Sequence, residues 1–69
     1  MKYYTVNEIL TLLHEDGWIV KNQEGSHIHF IHPRKKGKVT VPFHGRNKVL
    51  KPKTVKAILI QSELIMQEN

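Results

Sequence analysis

Between Gly25 and Pro33 the chain reads GSHIHFIHP. Polar and apolar residues alternate through this stretch, and successive side chains of an extended strand point to opposite faces. Ser26, Ile28, Phe30 and His32 then share one face, while His27, His29 and Ile31 share the other. Ile28 and Phe30 need a core, and imidazoles are best left in water. The strand therefore belongs to an antiparallel sheet that is packed on one face and wet on the other. Two of the five histidines, His27 and His29, fall on the wet face without a burial penalty.

The flanking segments say what covers the packed face. TVNEILTLLHEDG predicts a helix. Thr5 and Glu8 have the spacing of a capping box, Val6, Ile9, Leu10 and Leu13 follow helical spacing, and Gly17 suits a left-handed stop. WIVKN reads as a strand and QEG as a turn into the histidine strand, predicted over Ser26 to His32. PRKKGK is a basic turn, VTVP a short third strand ending at Pro42, and residues 43–51 a basic loop. Pro52 suits the first turn of a second helix with the stripe Val55, Ile58, Leu59, extended to Leu64 and Ile65 if the helix continues past Ser62. The order is α-β-β-β-α. The expected fold is α+β, a three-stranded antiparallel meander with both helices on one face.

A chain of 69 residues makes one domain, here 1–69, with a small core. It has no cysteine, so no disulfide or thiolate metal site supports that core. Nothing in it reads as a membrane span or a signal peptide, which fits a cytoplasmic protein.

The charge is +5 overall, from eleven Lys and Arg against six Asp and Glu, but it is unevenly spread. Residues 1–33 net −2 and residues 57–69 net −2. Residues 34–56 carry Arg34, Lys35, Lys36, Lys38, Arg46, Lys48, Lys51, Lys53 and Lys56 with no acid, for +9. A block of one sign is the footprint of a polyanion binder, and nucleic acid is favoured over a merely solvated face.

Three readings stand for His27 and His29. They are ordinary exposed strand residues, or an H-x-H metal pair completed by His44, or acid–base groups. The cationic surroundings and lack of cysteine place the metal reading last. Acid–base work needs an imidazole beside a cationic phosphate cradle. On RNA such a group removes the 2′-hydroxyl proton, the oxygen attacks the adjacent phosphorus, and Lys or Arg stabilise the charge that builds.

EDGWIVKNQEGSHIHFIHP and TVPFHGRNKVLKPKTVKAIL, set in the α-β-β-β-α order, resemble the HicA family of toxin proteins, from about Thr5 to Leu64. The carrying elements are Gly17-Trp18, Gly25-Ser26-His27 with Phe30, and Val41-Pro42-Phe43-His44. Lys53-Thr54 fits the start of the last helix, although Lys53 stands where the family often has Gly. The resemblance implies a double-stranded-RNA-binding-domain-like fold. It also implies mRNA cleavage without a metal or other cofactor, and neutralisation by a HicB-type antitoxin. It further implies that the histidine of the Gly-Ser-His motif, His27, is catalytic. His44 falls where the family often carries a second histidine. His29 and His32 lie outside the signature.

Ser26, His29 and His44 are therefore the auxiliary or phosphate-binding candidates. Arg34, Lys35, Lys36, Lys38, Arg46 and Lys48 are the candidates for RNA-backbone contacts. Trp18 is assigned to the core and His32 to structure. Phe43 either stacks on a base or plugs its loop. Tyr3 and Tyr4 are expected to staple the first helix. A non-catalytic RNA-binding module and a basic protein-interaction domain remain as alternatives.

Overall fold

The computed structural model describes residues 3–65. The elements run β1 (Tyr4–Thr5), α1 (Val6–Glu15), β2 (Ile19–Glu24), β3 (His27–Ile31), β4 (Val39–Pro42), β5 (Val49–Leu50) and α2 (Pro52–Gln61). β2, β3 and β4 form an antiparallel sheet in that spatial order, as the alternation in the histidine strand requires. One core joins Val6, Ile9 and Leu13 of α1, Val55 and Ile58 of α2, Ile28 and Phe30 of β3, and Val39 and Val41 of β4. Both helices thus cover the same face, and the other face is open.

The start of α1 is fully capped. The Glu8 amide donates to Thr5 Oγ1 at 3.2 Å, and the Thr5 amide donates to Glu8 Oε1 at 2.9 Å. The two preceding amides of the helix, Val6 and Asn7, donate to the carbonyls of Lys48 and Arg46, each at 2.9 Å. Three amides that a helix start leaves unbonded are met, and two of those bonds fasten the basic loop after β4.

α1 ends in a Schellman turn. Trp18 N–H donates to Leu13 C=O at 2.9 Å and Gly17 N–H to His14 C=O at 3.0 Å, with Gly17 at φ +99°. Trp18, 2% exposed, then enters the core, as expected.

Three expectations need correction, and the end of the last helix, open in the sequence, is now defined. Residues 43–51 are not all loop, because Val49–Leu50 pairs antiparallel with Tyr4–Thr5 and Leu50 is buried. Two residues are too few to show a period, so this small second sheet had no sequence signal. The first hairpin is tighter than read, with Gln23 and Glu24 still in β2 and a turn of only Gly25–Ser26. Gly25 has φ +57°, open to glycine at no steric cost. β3 correspondingly runs from His27 to Ile31, not Ser26 to His32. Finally, α2 stops at Gln61, so Ile65 lies outside its stripe and is exposed, while Leu64 packs against the core after the turn. Residues 66–69 of the tail lie outside the described residues.

Candidate functional site

Register fixes what the open face carries, since residues paired across an antiparallel ladder share a face. Glu24, His27 and Pro42 form one row, and Asn22, His29 and Thr40 the next. Ile19 and Ile31 continue it at the far end. A bulge between Val20 and Asn22 sets this register, inserting Lys21 without a partner.

His27 is exposed at the first position of β3, and its side chain makes no hydrogen bond or ion pair with the described residues. Next to it, Phe43 N–H donates to Ser26 C=O at 2.6 Å, tying the hairpin turn to the exit of β4. His44, exposed, therefore lies two residues past Pro42, the register partner of His27. Phe43 is partly buried and packs against the core, which favours the plugging role.

His29 is held from both sides. Its Nε2 lies 3.0 Å from Glu24 Oε1 and its Nδ1 3.0 Å from Thr40 Oγ1. The ring is 25% exposed and the carboxylate 74%. A carboxylate only accepts, so Nε2 carries a proton; the Thr40 hydroxyl can donate or accept, so Nδ1 is matched in either state. Glu24, Thr40 and Asn22 were not among the sequence candidates. Only the two-residue turn at Gly25–Ser26, which sets the pairing, could have identified them.

The basic residues divide. Arg34, Lys36, Lys38, Arg46 and Lys48 are exposed, as are Lys51, Lys53 and Lys56. Lys35 is different. Its Nζ donates to Asp16 Oδ2 at 2.6 Å and to the Ser62 carbonyl at 3.0 Å. The hydrogen bond from Lys35 holds the Asp16 carboxyl below the usual carboxylate range, helped by the Lys35 charge and a Trp18 indole bond and opposed by burial. Lys35 thus joins the end of α1 to the end of α2.

His32 sits beside this clamp. Its Nε2 donates to Asp16 C=O at 2.7 Å, and its Nδ1 accepts from the amides of Arg34 and Lys35 at 3.0 and 3.1 Å. Trp18 meets the ring edge-on, centroids 5.1 Å apart. Both ring nitrogens of His32 are used within the fold.

The candidate site lies on the open face of the sheet. Among the described residues, no three His, Asp or Glu side chains gather as a metal-binding group. No helix among them is long and apolar enough to cross a membrane.

Residues 6–64, nearly the whole chain, match the family model described as HicA toxin of bacterial toxin-antitoxin. No curated protein matches the chain.

Proposed function

The chain belongs to the HicA toxin family, and from that premise we propose that it is a metal-independent endoribonuclease that cleaves mRNA in the cytoplasm, with His27 as its essential acid–base residue. The observation that carries this reading is the state of the His27 ring. It is exposed on the open face and makes no bond with the described residues, while His29 holds Glu24 and Thr40 and both ring nitrogens of His32 are bonded to backbone groups. An imidazole without a structural partner is free to take a proton from substrate.

The rest of the site supports that chemistry. His27 removes the proton of a 2′-hydroxyl, the oxygen attacks the neighbouring phosphorus, and the 5′-oxygen of the next nucleotide leaves. Ser26 and His44 border the same end of the sheet and contact the phosphate. Arg34, Lys36, Lys38, Arg46 and Lys48 hold the backbone and stabilise charge on the phosphoryl oxygens. The loop that carries Arg46 and Lys48 is fastened to α1 through their carbonyls, which leaves both side chains exposed. The α-β-β-β-α order is that of double-stranded-RNA-binding domains, read through phosphates and 2′-hydroxyls. A HicB-type antitoxin of complementary charge would silence the protein by covering this basic face.

Incubation of the protein with single-stranded RNA in a chelating buffer tests the reading. The expected products end in 2′,3′-cyclic phosphate and 5′-hydroxyl groups. Binding without fragments would instead make the chain a non-catalytic RNA-binding module.

A further inference from the structure

We propose that His29 is a second catalytic residue, the acid that protonates the departing 5′-oxygen, and that Glu24 marks the place the scissile phosphodiester takes. The proposal rests on the ribonuclease reading above and adds a partner to His27.

Geometry motivates it. In a displacement at phosphorus the attacking and leaving oxygens lie on opposite sides of the phosphorus, roughly in line. One imidazole cannot reach both at hydrogen-bond distance. His27 and His29 are two residues apart on one strand and share its open face, which sets them about 6.6 Å apart along β3. That separation lets two rings flank one phosphodiester.

The partners of His29 can hold both ring protons that an acid needs before it acts. In the imidazolium form both ring nitrogens donate, Nε2 to Glu24 and Nδ1 to Thr40, each at 3.0 Å. The face therefore meets both N–H groups of the charged ring. Glu24 is 74% exposed and is held at this face by its ion pair with His29, so an incoming phosphate can displace it from Nε2. The carboxylate stands in for an anion at that nitrogen.

The proton balance closes. His27 takes the 2′-hydroxyl proton and becomes imidazolium. The O2′–P bond forms and the P–O5′ bond breaks. The Nε2 proton of His29 passes to O5′, which leaves as a 5′-hydroxyl. His29 remains neutral, keeping its Nδ1 proton toward Thr40. Exchange with water resets both rings.

The test compares ordinary RNA with RNA bearing a 5′-bridging sulfur at the cleavage site, whose thiolate leaves without protonation. His29→Gln is expected to slow cleavage of ordinary RNA by about 100-fold or more and to cleave the sulfur substrate at nearly the unmodified rate. His27→Ala is expected to fail on both. Equal impairment of His29→Gln on the two substrates, or no impairment on either, overturns the assignment. Thermal midpoints accompany the rates. Should His29→Gln unfold, Thr40→Val provides the same comparison, with a smaller loss that the sulfur substrate again restores; a loss without that recovery counts against the proposal. If the unmodified protein cleaves neither substrate, the ribonuclease reading itself fails.

Discussion

Lys35 is one of four cations between Arg34 and Lys38, yet its ammonium is spent inside the fold, on Asp16 and the Ser62 carbonyl. Its neighbours Arg34 and Lys36 are exposed. The two classes should separate experimentally. Lys35→Gln is expected to lower stability by about 1–2 kcal/mol, because hydrogen bonds to charged groups are lost, and to leave the salt dependence of RNA binding unchanged. Lys36→Gln is expected to do the reverse, flattening the slope of log affinity against log salt by about one unit at constant midpoint. Acid adds a second check. A lowered folded-state pKa for Asp16 means that its contribution is present above its ordinary value of 3.8 and lost as pH falls below it. The midpoint gap between Lys35→Gln and the unmodified chain should hold near neutrality and narrow below about pH 4; a gap constant down to pH 3 would refute the ion pair's role. Alternation alone placed Ile28 and Phe30 inside and His27 outside. It could not reveal the diversion of Lys35, whose partners lie 19 and 27 residues away.

Both helices end in the same hydrogen-bonded turn, and the two ends differ in one residue. At the end of α1 the left-handed position belongs to Gly17, at φ +99°. At the end of α2 the Leu64 amide donates to Leu59 C=O and the Glu63 amide to Ile60 C=O, each at 3.0 Å, and the left-handed residue is Glu63, at φ 59°. A side chain there costs about 1 kcal/mol that glycine avoids. Opposite outcomes are therefore expected from exchanging the two chemistries. Glu63→Gly should stabilise the protein by about 0.5–1 kcal/mol. Gly17→Ala should destabilise it by more than about 1 kcal/mol, since its Cβ would also lie 3.0 Å from His32 Nε2. Chemical denaturation of the two variants reads both signs, and a stabilised Gly17→Ala would contradict the geometry. The same contrast explains what was legible. Glycine announced the first stop, and the capping box and Pro52 announced both starts. The second stop carries no glycine, so the sequence left open whether the helix runs on to the apolar residues at 64 and 65. β1 and β5 were hidden for a different reason, being held by pairing across more than forty residues of chain.

On the scale of the whole molecule, the sheet separates the core from the two histidines of β3. The helices take one face of the sheet for the core, and the opposite face keeps the imidazoles. Eight of the nine cations between residues 34 and 56 are exposed, and no acid interrupts them. Lys51 and Lys53 even stand at the start of α2, where the helix dipole disfavours positive charge and no side chain caps the helix. This concentration of charge was readable from the sequence. The separation of the histidines from the core was readable only through the one alternating strand. The central claim is that a histidine left free by this arrangement performs the chemistry. It is tested most directly by the rate of RNA cleavage by His27→Ala beside the unmodified protein, with the thermal midpoint of each measured on the same preparations. The expected result is loss of cleavage with stability changed by no more than about 0.5 kcal/mol, since an exposed, unbonded ring contributes little to the fold. Cleavage by His27→Ala at the unmodified rate would contradict the account.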